Sequence, residues 1–203
     1  MPLRIIGGRA RGRRLRSPPG EGVRPTGDRV REALFNIWGG RLDGLRLLDV
    51  CAGSGAISLE ALSRGADEAV AIERDPERCR HIGEEAERAG LTEGLRVIRA
   101  EALEELGRLR REGAGPFDLA FADPPWEEEA LRREILALLF ETPPLCRSAA
   151  VEAPEGKEEP APPPGARLVK RSRYGGTVLL FFEALAVGSE GETEEEAEEG
   201  EEG

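Results

Sequence analysis

Residues 45–56, Leu-Arg-Leu-Leu-Asp-Val-Cys-Ala-Gly-Ser-Gly-Ala, constrain this chain more than any other stretch. A short apolar run ends in an acid, passes through a glycine pair and gives way to a helical pattern at Ile57. The run predicts a buried strand. Strand, glycine turn and helix in that order build the nucleotide pocket of a parallel α/β sheet. Gly53 and Gly55 let backbone approach a ligand where a Cβ would collide. The plain alternative is a β–α turn that happens to contain glycine.

Two details turn this pocket away from a dinucleotide. The third glycine of a G-x-G-x-x-G fingerprint falls at Ser58, and no Walker A lysine follows. An adenosine-bearing ligand without a pyrophosphate fits better, and S-adenosylmethionine is such a ligand. A second apolar run, residues 68–73, ends in Glu73, about 20 residues after the glycine pair, where such folds place a ribose-hydroxyl acceptor.

The whole chain bounds what surrounds this unit. Its 203 residues suffice for one sizeable α/β core with an appendage. No apolar run reaches the ~18 residues that span a bilayer, and no signal-peptide core follows Met1, so a cytoplasmic protein is expected. Cys51, Cys79 and Cys146 are odd in number and form no C-x-x-C, which argues against a disulfide framework and a cysteine zinc site. His81 is the only histidine, so a histidine dyad and a His-rich metal site are excluded and no metal is expected.

The net charge of −11 hides a division. Residues 1–46 carry eleven arginines against four acids, whereas residues 188–203 carry nine glutamates and no base. A polyanion-facing head and a solvated acidic tail follow. Three parts are expected: a basic hairpin and linker at 1–22, a catalytic domain at 23–187 and a disordered tail at 188–203.

In the head, residues 3–16 predict two short strands around Gly7-Gly8, with Arg4, Arg9, Arg11, Arg13 and Arg14 on an exposed face suited to phosphate. A disordered basic leader is the alternative. Arg24-Pro-Thr26 follows a Pro/Gly linker, with Thr26 or Asp28 as N-cap of a helix whose stripe is Val30, Ala33, Leu34, Ile37 and Trp38. Trp38 reads as core. Past Glu73, Asp75-Pro76 opens a helix that Gly90 closes, and Cys79 and His81 read as ordinary helix residues. Residues 95–98 are a third strand, with Glu101 just beyond it as either a ligand acid or a helix N-terminal acid.

Residues 116–122 form a fourth strand running into Asp123-Pro-Pro-Trp126 at its carboxyl end, with a helix after it. Residues 147–153 are a fifth strand, 155–165 a loop, and 166–174 with 177–186 a closing hairpin around Gly175-Gly176. Alternating strands and helices imply a parallel sheet that binds ligands where the winding reverses. A reversal between strands one and four would bring the Gly53 and Asp123 turns to one cleft.

Asp49-Val-Cys-Ala-Gly-Ser-Gly, Glu73 and Asp123-Pro-Pro-Trp126 resemble the motifs of Rossmann-like S-adenosylmethionine methyltransferases acting on exocyclic amines. With Arg4-Ile-Ile-Gly-Gly, Arg24-Pro-Thr26, Arg31-Glu-Ala-Leu-Phe-Asn36 and Glu60-Ala-Leu-Ser-Arg-Gly-Ala66, the chain over about residues 3–186 resembles the RsmD family of bacterial 16S rRNA guanine-N2 methyltransferases. It departs from that pattern at Cys51 (usually large and apolar), Glu85 (commonly Asn), Glu101 (commonly Asp) and Trp126 (commonly Tyr or Phe).

The resemblance implies an α/β fold with a mixed, mostly parallel seven-stranded sheet of order 3-2-1-4-5-7-6, flanked by helices. It implies a cofactor site of Asp49, Ala52, Gly53, Ser54, Gly55, Glu73, Arg74, Glu101, Ala102 and Asp123. Asp123, Pro124, Pro125 and Trp126 would carry catalysis, the acid and a backbone carbonyl orienting the amine and Trp126 stacking on a flipped base. Arg4, Arg9, Arg11, Arg13, Arg14, Arg24 and Thr26 would bind RNA. The partner is 16S rRNA, free or within a small-subunit assembly intermediate, and the protein is expected to be a monomer. An N6-adenine DNA or glutamine-N5 methyltransferase and a non-catalytic RNA-binding protein on the same fold are the alternatives.

Overall fold

The structure, a computed structural model, describes residues 3–20 and 26–186. Arg24 and the 188–203 tail therefore lie outside the described residues. The described part contains α1 (Asp28–Ile37), β1 (Arg46–Val50), α2 (Ala56–Ser63), β2 (Glu68–Glu73), α3 (Pro76–Ala89), β3 (Leu95–Arg99), α4 (Ala102–Arg111), β4 (Phe117–Ala122), α5 (Glu129–Phe140), β5 (Cys146–Pro154), β6 (Ala166–Tyr174) and β7 (Thr177–Ala184).

The seven strands form one sheet in the expected order β3-β2-β1-β4-β5-β7-β6, with only β7 running antiparallel to its neighbours β5 and β6. The period-two pleat sorts the apolar residues of β1 and β4 to two faces. Leu48, Val50, Ala120 and Ala122 meet Leu106 and Leu109 of α4 and Ile135, Leu136 and Leu139 of α5. Leu47, Leu119 and Phe121 meet Leu34 and Phe35 of α1 and Ile57 and Ala61 of α2. Each of these buried valine, leucine, isoleucine and phenylalanine side chains contributes ~1.5–3 kcal/mol. Asp49 stands beside Phe121 in the parallel register, so Asp49, Phe121 and Asp123 share the α1/α2 face. The winding reverses at β1, and the carboxyl ends of β1 and β4 flank that point.

Several local expectations hold. Asp75 caps α3 by accepting from Glu77 N and Arg78 N, Pro76 is its first residue and Gly90 ends it in the left-handed region. Trp38 is half-buried against Phe35, ring centroids 5.7 Å apart, edge to face. At the start of α1 the expectation is corrected. Gly27 is the N-cap with no side-chain cap bond, because Asp28 is turned to Arg4 and Arg31 and the Thr26 side chain to Asp123.

The N-terminal hairpin also needs correction. Residues 3–15 hold a single antiparallel bridge, Arg4 to Arg14, closed by Ile5 N to Arg13 O and Leu15 N to Leu3 O at 2.9 Å each. The chain reverses over residues 9–12 instead of at Gly7-Gly8. Between the bridge and the reversal, the backbone donors turn to α2. Ile6 N and Gly7 N each donate to the Glu60 carboxylate at 2.7 Å, Arg9 N to Ser63 O at 2.7 Å and Ala10 N to Ser63 Oγ at 2.9 Å. The loop lies so close to α2 that a Cβ at Gly8, whose φ is +73°, would sit 1.8 Å from Ser63 O. Ile5, Ala10 and Leu15 are buried against Leu59, Leu62 and Ala86. No helix among the described residues is long and apolar enough to cross a membrane.

Candidate active site

The turns after β1 and β4 open onto one cavity of about 330 Å³. Asp49, Ala52, Gly53 and Ser54 line it from the first turn, and Asp123, Pro124, Pro125 and Trp126 from the second. Glu73 and Arg74 at the end of β2, Glu101 and Ala102 at the start of α4, and Thr26 complete the wall. Gly55 is not in it. Its φ of +71° makes it the N-cap of α2, and an added Cβ would meet Ile82 side-chain atoms at 2.8 Å. That glycine sets the turn and lets α2 lie close to α3. Cys51 is the one described non-glycine residue with positive φ, +62°, a conformation that costs an L-residue about 1–2 kcal/mol. Burial pushes its thiol up to about 12, so it supplies no thiolate.

Asp49 is 1% exposed. Ser58 donates to its Oδ2 twice, from Oγ at 2.6 Å and from N at 3.1 Å. Both bonds favour the ionised form, yet burial outweighs them and raises the carboxyl to about 6. Its other oxygen has no donor among the described residues. Ser58 holds the place of the missing third glycine, and the substitution gives the strand acid a fixed orientation. Glu73 accepts from Gly53 N at 2.8 Å and Asp75 N at 3.0 Å, which ties the first turn to the end of β2 while each oxygen keeps a lone pair. Arg74 and Glu101 face each other at 3.8 Å on the rim, both exposed.

Asp123 lies among charges that no motif announces. Burial and the neighbouring Glu152 raise its carboxyl above the usual carboxylate range; Asp49 adds to this, while Arg132 and a hydrogen bond from the Thr26 side chain oppose it. Glu152 lies in β5 one register step beyond the Ala122–Val151 pair, so it stands beside Asp123 at the sheet's carboxyl edge. Arg132 of α5 is 1% exposed, donates from Nε to Glu152 O at 3.2 Å and has no hydrogen-bond partner for Nη2 among the described residues. Arg132 and Glu152 could not be singled out by spacing, because neither sits in a motif and α5 reads as an ordinary amphipathic helix.

Thr26 is buried in the cavity wall with its side chain on Asp123. Behind it, Arg31 is fully buried. It donates from Nε to Thr26 O at 3.1 Å, and from Nη2 to Arg4 O at 2.8 Å and Asp28 Oδ1 at 2.7 Å. Its Nη1 stands 3.8 Å from Glu60. Arg31 thus joins the N-terminal loop to the residue that touches Asp123.

On the loop itself Arg4, Arg9, Arg11, Arg13 and Arg14 are all exposed. Arg4 pairs with Asp28 at 3.0 Å and Arg13 makes one 3.5 Å bond to Arg88 O. Glu85, a departure from the expected pattern, is a second anchor. It accepts from Arg16 N at 3.0 Å, Arg16 Nε at 2.5 Å and Arg88 Nη1 at 2.8 Å. Burial would raise its carboxyl, but these bonds hold it below the ordinary glutamate value.

Comparison with known proteins agrees with this fold. Residues 3–183 match the family model described as Conserved hypothetical protein 95. YlbH of Bacillus subtilis is 32% identical over 182 residues, 89% of this chain and 98% of that protein. The Ribosomal RNA small subunit methyltransferase D of Escherichia coli K12 is 40% identical over 134 residues, 66% of this chain and 65% of that one. The solved structure of yhhF from Escherichia coli superimposes with a TM-score of 0.74 at 33% identity, covering 91% of this chain and 98% of the other.

Proposed function

The chain belongs to the RsmD family of rRNA methyltransferases, and from that premise we propose that it moves a methyl group from S-adenosylmethionine to the exocyclic N2 of a guanine in 16S rRNA. One observation carries this reading: the turns at 49–54 and 123–126 line one cavity, with the buried Asp49 on one and the half-buried Asp123 on the other. On this reading it works in the cytoplasm, as a monomer, on 16S rRNA alone or within a small-subunit assembly intermediate.

The donor set fits the cofactor. Asp49 offers a free carboxylate oxygen to an ammonium, Glu73 has lone pairs left for ribose hydroxyls, and Glu101 with Ala102 edges the place for a base. Bound S-adenosylmethionine supplies an electrophilic sulfonium methyl. The remaining work falls to the chain. A guanine N2 lone pair is delocalised into its ring. The Asp123 carboxylate and a backbone carbonyl at Asp123 or Pro124 accept its two hydrogens and draw the nitrogen toward tetrahedral geometry. The enzyme thereby orients the lone pair, and needs no strong base for that. A proton must leave the nitrogen once the new bond forms, and a carboxylate whose proton affinity burial has raised can take it. Trp126, half-buried on the cavity wall, stacks on the base turned out of its helix.

The test is direct. The protein and S-adenosylmethionine carrying a labelled methyl are incubated with unmodified 16S rRNA, both free and within a small-subunit assembly intermediate, and the nucleosides are analysed by mass spectrometry. N2-methylguanosine is expected; N6-methyladenosine, or label in no nucleoside, overturns the proposal.

Cofactor binding and RNA binding each have a measurable signature. Asp49 must be ionised to hold an ammonium, and in the free protein it titrates at about 6. Cofactor affinity, followed by calorimetry, should rise about tenfold per pH unit below 6 and level off above it. The same group gives the ligand-free fold the opposite slope. Its folded value lies above the unfolded value of 3.8, so its contribution to stability falls as pH rises from about 4 to 6, by ~3 kcal/mol. A cofactor affinity flat from pH 5 to 8 would remove Asp49 from the ammonium site. For the loop, alanine at Arg11, Arg13 and Arg14 should weaken rRNA binding and flatten its log–log salt dependence by ~0.7–0.9 for each phosphate no longer neutralised. Filter binding between 50 and 200 mM salt reads this, and an unchanged slope takes the loop out of the RNA interface.

A further inference from the structure

We propose that a second cavity, walled by the start of α1 and the β6–β7 turn, is an RNA subsite that takes the nucleotide adjoining the target base. This inference rests on the rRNA substrate proposed above. The cavity measures about 690 Å³ and is bordered by Thr26, Asp28, Arg29, Arg173, Tyr174 and Gly175, among others. Thr26 belongs to the walls of both cavities, so the two spaces adjoin at that residue, whose side chain bonds Asp123. A base turned out into the first cavity keeps its covalent neighbours one phosphate away. The adjoining space must then either accept such a neighbour or be closed to it, and here it is open.

Its chemistry suits a nucleotide. Tyr174 is half-buried, packed by part of its surface against the α1 and β7 side chains, and it borders the cavity with the remainder. A ring fixed in that way is a stacking platform with little entropy left to lose. Gly175, with φ at +63° and no atom within 4 Å of an added Cβ, places no side chain over the ring. Arg29 is exposed and forms no ion pair with the described residues. Arg173 pairs with Glu155 at 2.6 Å, with both side chains open to solvent, a contact that a phosphate can replace. The one acid on the wall is already neutralised, since Asp28 is held by Arg4 at 3.0 Å and Arg31 at 2.7 Å. An apolar guest leaves the arginines unused and a small anion leaves the ring unused, whereas a base with its phosphate uses both.

The experiment measures kcat/KM for methylation of 16S rRNA, with the S-adenosylmethionine Kd and thermal unfolding as controls, in Tyr174→Ala, Tyr174→Leu, Tyr174→Phe and Arg29→Ala. Leucine keeps apolar packing against α1 and β7 but offers no flat face. Stacking predicts that kcat/KM falls roughly 5- to 150-fold in both Tyr174→Ala and Tyr174→Leu, while Tyr174→Phe stays close to the parent. The loss should fall mainly on KM, and cofactor affinity should not move. Arg29→Ala should lower the salt slope of rRNA binding by ~0.7–0.9. Parental kcat/KM in Tyr174→Leu overturns the subsite, whether or not Tyr174→Ala is impaired, because packing alone would then explain the ring. A matching loss of cofactor affinity in Tyr174→Leu overturns it too. A parent protein that leaves rRNA unmethylated is a different failure, that of the proposed reaction itself.

Discussion

Asp123→Ala is expected to lower methyl transfer by at least ~10²- to 10³-fold while cofactor affinity stays within a few-fold of the parent. The scale is that of losing one preorganised polar partner of a reacting group in a water-poor site, and Asp123 would supply both the orientation of the amine and a home for its proton. The residue is made costly by its surroundings. Burial beside Glu152 and Asp49 raises its carboxyl, so the fold resists its ionised form. Removing the carboxyl should therefore leave thermal stability equal to the parent's or higher, and Arg132 keeps Glu152 as counter-charge. Falling activity with unfallen stability is a signature that mere damage to the fold does not give. Asp123→Asn should be intermediate. Its amide oxygen still accepts one hydrogen, but its NH2 points a donor at a donor. Single-turnover kinetics with labelled cofactor reads the effect, and turnover within tenfold of the parent in the alanine variant would show that the backbone carbonyl suffices.

The parts of this molecule that are legible in the sequence are those where a local rule acts. The apolar runs of β1 and β4 mark strands buried on both faces, Asp75-Pro76 and Gly90 punctuate α3 by cap chemistry, and the β6–β7 turn falls at its glycine pair. Both halves of the cavity are visible as strand-end turns, and their meeting follows from the reversal of winding at β1. What stays hidden depends on long-range partners. Arg31, Arg132, Glu60 and Glu85 are charged residues on helices, where an exposed face is the natural expectation, yet each is essentially fully buried. A buried charge needs a partner distant in sequence, and spacing does not reveal such pairs. The N-terminal loop departs from its expected hairpin for the same reason. Alternating arginine and apolar residues suggest a strand that pairs with itself, whereas the donors of Ile6 and Gly7 are satisfied by a carboxylate 53 or 54 residues away.

That carboxylate gives the second large effect. Glu60→Ala should destabilise the protein by ~3–5 kcal/mol, the cost of leaving buried charge without its partner. Glu60 is fully buried and receives four donors or cations: Ile6 N and Gly7 N at 2.7 Å each, Arg64 Nε at 2.8 Å and Arg31 Nη1 at 3.8 Å. Truncation takes a counter-charge from the buried Arg31 and the half-buried Arg64 and leaves two backbone N–H groups unpaired. Glutamine is no repair, since its amide offers one acceptor oxygen where two N–H groups and Arg64 converge, and it turns a donor toward them. Chemical unfolding measures the cost, and a loss below about 1 kcal/mol would mean that the loop's apolar contacts, Ile5 and Leu15, hold it unaided. The functional result should be selective wherever the variant remains folded. Arg31 also holds Thr26 O and Arg4 O, so loosening it frees the arginine loop and the residue beside Asp123 at once. The cofactor side, built on Asp49, Ser58 and Glu73, uses none of these bonds. At low temperature, where the folded fraction is high, Glu60→Ala should therefore bind S-adenosylmethionine nearly as the parent does and bind rRNA markedly less well. Equal losses on both sides would show that the loop and the catalytic turn are not joined through Arg31.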